Sequence, residues 1–381
     1  MISRELYHAL SPETEFETPF TLQVLDLPRH LYNTAATLID NELHLLGREV
    51  PEVDPDDMHK PDVSPISMVN VTTGRTTRLW TPHGGDTLED IRFNHDFTFA
   101  GATRVLKTGA NDDGTDKHSA FISMITDTDV DRLLDGQFPP TVFPIGLGED
   151  REHPALRFDV GIEGYVVRGK NITPIGVNAN SEQEFLYRPE DRPHTFIFFT
   201  VGENNMAKNV QTVHIPIEDR PHWMKYNVGS TLSPVLLNNQ SNGPDREYLF
   251  MIHGIEVVDE GTKDAKDEKF IYAIGSARLY CDEHGQYTVD NISREPLLRH
   301  DTFYRTFNRT AEELHSFRRV VYLLGGVAAY DALGDLDSLI TSPQVGDIHT
   351  FLATLTREKI DALTRTWFRP ERLSAREQLI R

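Results

Sequence analysis

The chain has 381 residues, of which 38% are hydrophobic and 25% are charged, as in a typical globular protein. No stretch approaches the roughly 20 apolar residues that span a bilayer, and no apolar core of signal-peptide length follows the N-terminus. The formal net charge of −21 argues against nonspecific binding to nucleic acid, whose phosphates need a basic surface. Cys281 is the single cysteine, so an intrachain disulfide is excluded and a reducing, cytoplasmic location is expected. Because no apolar stretch is long enough to span a bilayer, no membrane contact is expected. The oligomeric state stays open, with a homodimer as one alternative.

Short segments rich in Val, Ile, Phe and Thr, separated by Gly, Pro, Asn and Asp, dominate the sequence. Such segments are typical of β-strands bounded by turns. In chain order, strands are predicted over residues 21–25, 42–46, 119–125, 165–168, 195–201, 210–216, 248–253, 270–280 and 319–324.

Helical patterns are few. Short helices are predicted over residues 127–134 and 310–317, the second opening with a capping-box pattern. The clearest helix is predicted over residues 356–367, where apolar residues recur at three- and four-residue spacing before Pro370.

Many short strands, few helices and no alternation of strands with helices favour a closed all-β architecture. A propeller of about five four-stranded blades needs roughly this length of chain. We therefore predict one five-bladed β-propeller domain over residues 1–381, with a few short helices, a C-terminal helix and an exposed tail at 371–381. The acidic, Pro-rich stretch 51–65 and the charged stretch 259–269 are interpreted as insertions within this domain.

Residues 87–93 place two carboxylates and an arginine among apolar residues, after a Gly-rich turn. Because side chains alternate along a strand, Asp90 and Arg92 are expected on one face, with Glu89 turned away. An acid and a cation projecting together from a strand suit general acid–base chemistry on a polar substrate. A structural ion pair is the alternative.

A hairpin is predicted over residues 33–49, with Asp40 and Asn41 at its turn. Asn33 lies at its mouth and Arg48 at its far end. Planar polar groups of this kind bind sugars, because each can contact two adjacent hydroxyls. A loop cap and a surface charge are the alternative interpretation.

Other polar candidates stand at the ends of predicted strands. His253 closes an apolar strand before Gly254, as a ligand-facing residue or as a core-edge histidine. Lys170 and Lys225 offer an ammonium group for a phosphate, or are solvated. Asp347 begins a strand, where it binds a pair of sugar hydroxyls or caps a turn. The 16 histidines show no metal-ligand spacing, so no metal site is predicted.

In their order along the chain, these segments resemble the five-bladed β-propeller β-mannoside phosphorylases. More narrowly, they resemble the kinetoplastid β-1,2-mannan mannosyltransferase/phosphorylases. The resemblance spans residues from about 20 to 355, and Ile91 stands where the family's Glu-Asp-Pro-Arg motif has proline. Its motifs are residues 33–36 with Arg48, 89–92, 170–171, 229–234 with 253–254, 272–279 and 345–347.

The resemblance implies an enzyme that moves mannose between GDP-mannose or mannose 1-phosphate and β-1,2-mannan oligosaccharides, with no other cofactor. It implies Asp90 as the catalytic acid. The implied substrate-binding residues are Asn33, Arg48, Glu89, Arg92, Lys170, His253 and Asp347. Candidates for phosphate contact are Arg104, Lys117, Lys225 and Tyr272. A β-mannoside hydrolase and a non-catalytic carbohydrate-binding propeller are the alternatives.

A single catalytic carboxylate is chemically consistent with phosphorolysis. Inverting hydrolysis usually needs a second carboxylate that activates water, whereas phosphate is already anionic. Arg92 beside Asp90 favours the ionised carboxylate, which opposes proton donation. The resemblance implies that the proton instead passes through a sugar hydroxyl, so that Asp90 need not touch the glycosidic oxygen.

Overall fold

The computed structural model describes most of the chain as β-strands joined by turns. The described residues are 18–25, 27, 31–49, 65–80, 87–94, 99–110, 116–125, 143–144, 146–147, 158–160, 165–167, 170–178, 180–189, 192, 194–201, 206–224, 228–239, 245–257, 270–299, 302, 321–345, 349–365 and 367. Within this part of the chain, no helix is long and apolar enough to cross a membrane.

The strands follow one another with few helical interruptions. Those of the first half are β1 (Thr21–Val24), β2 (Leu31–Ile39), β3 (Glu42–Glu49), β4 (Ile66–Asn70), β5 (Thr76–Trp80), β6 (Thr87–Phe93), β7 (Ala100–Ala110), β8 (Asp116–Ile125), β9 (Phe143–Pro144), β10 (Gly146–Leu147), β11 (Phe158–Val160), β12 (Tyr165–Val167) and β13 (Lys170–Val177). Those of the second half are β14 (Gln183–Arg188), β15 (Thr195–Val201), β16 (Met206–His214), β17 (Val228–Ser230), β18 (Val235–Leu236), β19 (Arg246–Val257), β20 (Phe270–Cys281), β21 (Tyr287–Asp290), β22 (Leu298–Arg299), β23 (Val321–Tyr322), β24 (Gly326–Tyr330), β25 (Leu336–Thr341), β26 (Gln344–Val345) and β27 (His349–Thr356). Helix α1 (Arg357–Thr364) follows, and short 3₁₀ turns span Ile217–Asp219 and His222–Met224.

Among the described residues, these strands form five sheets of four to six strands and one two-stranded sheet, β11-β12. The first sheet has the order β2-β3-β4-β5 and the second β6-β7-β8-β9. The third has the order β10-β16-β15-β14-β13. The fourth is β17-β19-β20-β21, with β18 and β22 pairing to β19 and β20. The fifth is β23-β26-β27-β25-β24, with β1 pairing to β27.

The larger sheets contact one another in sequence and return to the start. Strand β2 contacts β6, β6 and β7 contact β13, and β13 contacts β17. Strand β20 contacts β23, and β24 contacts β2, which closes a propeller-like ring. Strand β1 pairs antiparallel with β27, with Thr21 opposite Thr354, so a strand from the start of the chain completes the last sheet. The prediction of a closed all-β architecture is confirmed at this level.

The predicted strands are found with small shifts at their ends. The strand predicted at 195–201 is β15, and the hairpin around Asp40 and Asn41 joins β2 to β3. Both turn residues have positive φ, 51° and 64°, which suits Asp and Asn in a tight hairpin turn. The helix predicted to end at 367 ends at Thr364, and the backbone N–H of Trp367 then donates to the carbonyl of Thr364 at 2.9 Å, the three-residue spacing of a turn. The helices predicted at 127–134 and 310–317, the stretch 259–269 and the tail 371–381 lie outside the described residues, as does 51–64 of the first insertion.

Trp223 shows how closely the fourth sheet is packed. Its indole is fully buried and donates to the carbonyl of Ser293 at 3.1 Å. It lies against Gly254 of β19 and Gly275 of β20, where a side chain would not fit. A Cβ atom added at Gly275 would lie 2.3 Å from Cζ2 and 2.4 Å from Cη2 of the ring. Glycine is therefore required at this position for packing.

We expect Gly275→Ala to lower the free energy of unfolding by about 2 kcal/mol, because a tightly packed ring has to move. Urea unfolding followed by tryptophan fluorescence measures this change. Gly176→Ala is the matched control, because no atom lies within 4 Å of a Cβ added there. An equal loss in both variants would contradict the packing explanation.

Candidate active site

Asn33 and Asp90 meet where the first strands of the first and second sheets come together. Nδ2 of Asn33 donates a hydrogen bond to Oδ1 of Asp90 at 2.9 Å. Both residues have φ of +53°, in the left-handed region that Asn and Asp tolerate better than other residues with side chains. The same uncommon backbone conformation therefore recurs at the two partners of one hydrogen bond.

Each of these residues interrupts the pairing of its strand. The register between β2 and β3 shifts between Tyr32 and Ala35, around Asn33. The register between β6 and β7 shifts between Glu89 and Arg92, around Asp90. Such irregularities re-aim a side chain away from the regular alternation of a strand. Here they bring an amide and a carboxylate from two sheets into contact.

Arg92 is 1% exposed and connects three parts of the fold. Its Nε donates to the carbonyl of Thr231 at 2.6 Å, and Nη1 donates to the carbonyl of Asp90 at 3.0 Å. Its Nη2 lies 3.9 Å from Oδ2 of Asp90, whose side chain is 25% exposed. Thr231 follows β17 in the fourth sheet, so Arg92 reaches past the third sheet and lies toward the middle of the ring. The predicted proximity of Asp90 and Arg92 is confirmed.

Burial lowers the pKa of Arg92, and the charges of Asp90 and Tyr322 oppose that change. An arginine keeps its proton even so, because its ordinary pKa lies far above neutrality. The buried guanidinium is therefore a fixed positive charge beside a carboxylate that solvent still reaches.

Gln344 of the fifth sheet holds the start of β2. Its Oε1 accepts a short hydrogen bond from the backbone N–H of Asn33, and its Nε2 donates to the carbonyl of Leu31. Thr350 Oγ1 donates to the same carbonyl at 3.3 Å. Gln344 is 1% exposed, so these hydrogen bonds lie in the interior of the protein. Gln344 was not predicted as a site residue, although it directly precedes the 345–347 motif.

Oδ1 of Asn33 is a buried acceptor without a hydrogen-bond partner in the described part of the chain. The bond from Nδ2 to Asp90 sets the orientation of the amide, so the oxygen faces elsewhere. A buried polar atom without a partner costs about 1–3 kcal/mol. Because this oxygen is closed to solvent, Nδ2 is the side-chain atom through which Asn33 contacts the site.

An aromatic group adjoins Arg92. The ring centroid of His253 lies 6.3 Å from that of Tyr272 and 6.0 Å from that of Tyr322. The two tyrosine rings are 5.4 Å apart in an edge-to-face arrangement. His253 and Tyr272, both predicted as site residues, are thus brought together. Tyr322, which interacts electrostatically with Arg92, was missed because residues 319–324 were interpreted only as a strand.

Two buried arginines occupy equivalent places in the first and third sheets. Arg48 is 5% exposed near the end of β3 and pairs in register with Tyr32. Arg188 is 8% exposed at the end of β14 and pairs in register with Lys170. Each lies at or near the end of one strand, opposite the start of the neighbouring strand. The sequence analysis predicted Arg48 and Lys170 but not Arg188, whose cue was the same strand-end position.

For three of the remaining predicted residues the structure gives the strand register, and two others lie outside the described residues. Glu89 pairs with Thr103, Arg104 with Leu88, and Lys117 with Gly109, all in the second sheet. Lys225 and Asp347 lie outside the described residues. Among the residues that are described, no group of three His, Cys, Asp or Glu side chains is arranged to hold a metal ion.

The left-handed conformation of Asn33 leads to a stability prediction. We expect Asn33→Ala to unfold about 1 kcal/mol more easily than Asn33→Gly, because only glycine adopts this φ without strain. Urea unfolding of both variants measures the difference. Thr37, within the regular part of β2, is the matched control position, and glycine is expected to be the worse replacement there. The same order at both positions would contradict the prediction.

No family model matches the chain, and no curated protein matches it. Solved structures do match. A β-1,2-mannobiose phosphorylase from Listeria innocua aligns over 93% of this chain and 95% of that chain, at 13% identity and TM-score 0.52. A glycosyl hydrolase from Bacteroides ovatus aligns over 91% and 93%, at 11% identity and TM-score 0.53.

A third structure comes from work on the GH130 family of mannoside phosphorylases and its hydrolases that target β-1,2-mannosidic linkages in Candida mannan. It aligns over 92% of this chain and 96% of that chain, at 12% identity and TM-score 0.52. At such identities the likeness shows the fold, which this chain shares with carbohydrate-active enzymes. A mannose phosphorylase from Leishmania mexicana aligns at TM-score 0.46, too weakly to support the narrower kinetoplastid resemblance, which stays a prediction.

Proposed function

We propose that this protein is a mannoside phosphorylase or mannosyltransferase that acts on β-1,2-mannan oligosaccharides. The mannosyl donor or product is mannose 1-phosphate or GDP-mannose. The observation that carries the proposal is the contact of Asn33, Asp90 and Arg92 within a ring of sheets. The shared fold supports it, because the matching structures include a β-1,2-mannobiose phosphorylase.

In this proposal the ring is a five-bladed propeller and residues 1–381 form one domain. The five larger sheets among the described residues support this count, since each contacts the next and the fifth contacts the first. The pairing of β1 with β27 supports a single domain, because it joins the two ends of the described chain.

Asp90 is the proposed acid. Its Oδ1 accepts the N–H of Asn33, which leaves Oδ2 as the oxygen proposed to pass the proton, and the side chain is 25% exposed. Phosphate attacks as an anion and needs no second carboxylate as a base. In the proposed step the proton passes from Asp90 through a sugar hydroxyl that contacts Oδ2, so Asp90 need not touch the glycosidic oxygen.

Sugar recognition is assigned to the groups around this acid. Asn33, which contacts Asp90, is assigned one sugar contact, and the aromatic group of His253, Tyr272 and Tyr322 is assigned the ring surfaces that pack against the sugar. Arg48, Glu89 and Asp347 complete the proposed sugar contacts.

The phosphate needs local cations, because the net charge of −21 repels it. Lys170 stands opposite the buried Arg188 in register, and both join His253 as the proposed anion contacts. Arg104, Lys117 and Lys225 stay as further candidates. The reaction then requires no metal or cofactor, only phosphate or a nucleotide sugar as co-substrate, and we place the enzyme in the cytoplasm.

The direct test is incubation of the protein with β-1,2-mannobiose and inorganic phosphate, followed by phosphorus NMR. We expect mannose 1-phosphate to form at a rate that rises with phosphate concentration. A parallel arm with GDP-mannose and mannose tests donor choice, because extension of the acceptor with release of GDP would assign the nucleotide sugar as donor. Absence of any product in both arms would overturn the proposal.

The hydrolase is the second candidate, since a structure from the hydrolase branch matches this fold equally well. Inverting hydrolysis requires a second carboxylate about 6.5–9.5 Å from the acid. Release of free mannose at a rate independent of phosphate would favour the hydrolase. Oligosaccharide binding without turnover would favour the non-catalytic propeller.

A further inference from the structure

A hollow of about 510 Å³ lies on the third sheet and shares no residue with the Asn33–Asp90–Arg92 cluster. It is open to solvent and lies where β15 begins and β16 ends. Its lining residues are Arg192, His194, Thr195, Thr212 and His214. No carboxylate lines it in the described part of the chain, although the sequence holds 59 acidic against 38 basic residues. We call it the third-sheet hollow.

His214 is held by hydrogen bonds at both ring nitrogens. Nη2 of Arg220 lies 3.2 Å from its Nε2, and Oγ1 of Thr195 lies 3.1 Å from its Nδ1. Because arginine only donates, Nε2 is the acceptor and the ring proton is on Nδ1. Arg220 is itself anchored, since its Nε and Nη2 donate to the carbonyl of Ile215 at 3.0 and 2.8 Å. The guanidinium and the imidazole are therefore fixed before any ligand arrives.

His194 is 7% exposed and lines the same hollow. Its Nε2 lies 2.9 Å from the carbonyl of Met224, so this nitrogen carries the proton and donates. Burial lowers the pKa of His194, and the hydrogen bond to Met224 opposes this change. Further lowering comes from the guanidinium charges of Arg220 and Arg188. Two guanidinium groups thus act on His194, and no carboxylate is among the described lining residues to offset their charge.

We propose that the third-sheet hollow binds a phosphate group. Arg192 and His214 line it, Arg220 stands directly behind His214, and the hydroxyls of Thr195 and Thr212 add donors. Guanidinium groups bind phosphate through paired, charge-assisted hydrogen bonds. The volume of the hollow, about 510 Å³, is many times the roughly 30 Å³ that one water molecule takes in the liquid. The hollow is therefore larger than one phosphate group requires. A sugar or nucleoside attached to the phosphate therefore fits the same opening. This site lies beyond the proposed function and does not depend on it.

Proton–carbon correlation NMR of the histidine rings tests the site directly. The His194 and His214 signals are assigned from the variants His194→Gln and His214→Gln. Inorganic phosphate, mannose 1-phosphate and GDP are titrated separately at constant ionic strength. We expect saturable shifts of both signals, and the probe with the lowest dissociation constant identifies the source of the phosphate. Arg192→Gln should weaken that binding roughly tenfold, the loss of one charge-assisted contact.

Arg75→Gln is the matched control, because Arg75 is an exposed arginine in the turn between β4 and β5. It should leave the titration unchanged. Signals that stay still with all three probes, or that drift linearly without saturation, would overturn the proposal. An equal weakening by Arg192→Gln and Arg75→Gln would do the same, since it would show a general charge effect. These outcomes are read at His194 and His214 and do not depend on whether mannose is transferred.

Discussion

Asp90→Asn is expected to slow the formation of mannose 1-phosphate from β-1,2-mannobiose and phosphate by about 10²–10⁴-fold, the usual contribution of a general acid. The substitution removes the proton that the mechanism needs and little else. Asparagine tolerates the φ of +53° at this position, and its amide oxygen still accepts the N–H of Asn33. The folded structure and the KM for the oligosaccharide should therefore change much less than kcat.

Asp40→Asn provides the matched control for this experiment. Asp40 has φ of 51°, close to that of Asp90, but it is exposed in the turn between β2 and β3. The same chemical change in the same backbone conformation should leave turnover intact. Full activity in Asp90→Asn would remove Asp90 from the mechanism. A comparable loss in Asp40→Asn would show that the assay reports folding and not catalysis.

Arg92→Met is expected to lower the free energy of unfolding by about 3 kcal/mol, as when one partner of a buried charged contact is removed. Arg92 is 1% exposed, and the substitution leaves the carbonyls of Thr231 and Asp90 without its donors. The side-chain volume is kept nearly constant, so the loss comes from hydrogen bonds and charge more than from a cavity. Because Arg92 links the second and fourth sheets, the effect should extend across the ring.

Urea unfolding followed by circular dichroism measures the stability of Arg92→Met. Arg75→Met is the control, because an exposed arginine is expected to change stability by less than about 0.5 kcal/mol. Equal stability of Arg92→Met and the wild type would show that the buried guanidinium is not structurally required. A purely catalytic role would then have to explain its burial.

Local pattern was sufficient for much of the fold. Residues 195–201 are β-branched or aromatic throughout, and they form β15, which is buried along its whole length. Asp40 and Asn41 predict the turn of the first hairpin because their side chains tolerate positive φ. The helix near the C-terminus follows from apolar spacing, although its end was placed three residues too far along the chain. In each case the deciding interactions lie within a few residues of one another.

The candidate site was only partly predictable. Strand alternation predicted that Asp90 and Arg92 lie together, and they do. The left-handed backbone conformation of Asp90 and the register shift beside it were not predicted, because no residue within 87–93 requires either of them. Gln344 and Tyr322 were missed for a related reason. A glutamine and a tyrosine in short strands have no distinctive pattern, and their partners lie elsewhere in the chain.

The sequence by itself determined which residue types were present for this chemistry: an acid beside an arginine, an asparagine at a hairpin mouth, and a histidine at a strand end. The tertiary structure decided which of them meet. Asn33 contacts Asp90 across 57 positions and Gln344 across 311, and Arg92 reaches Thr231 across 139. Those contacts form because each sheet packs against the next until the ring closes, which brings distant strand segments together around its middle.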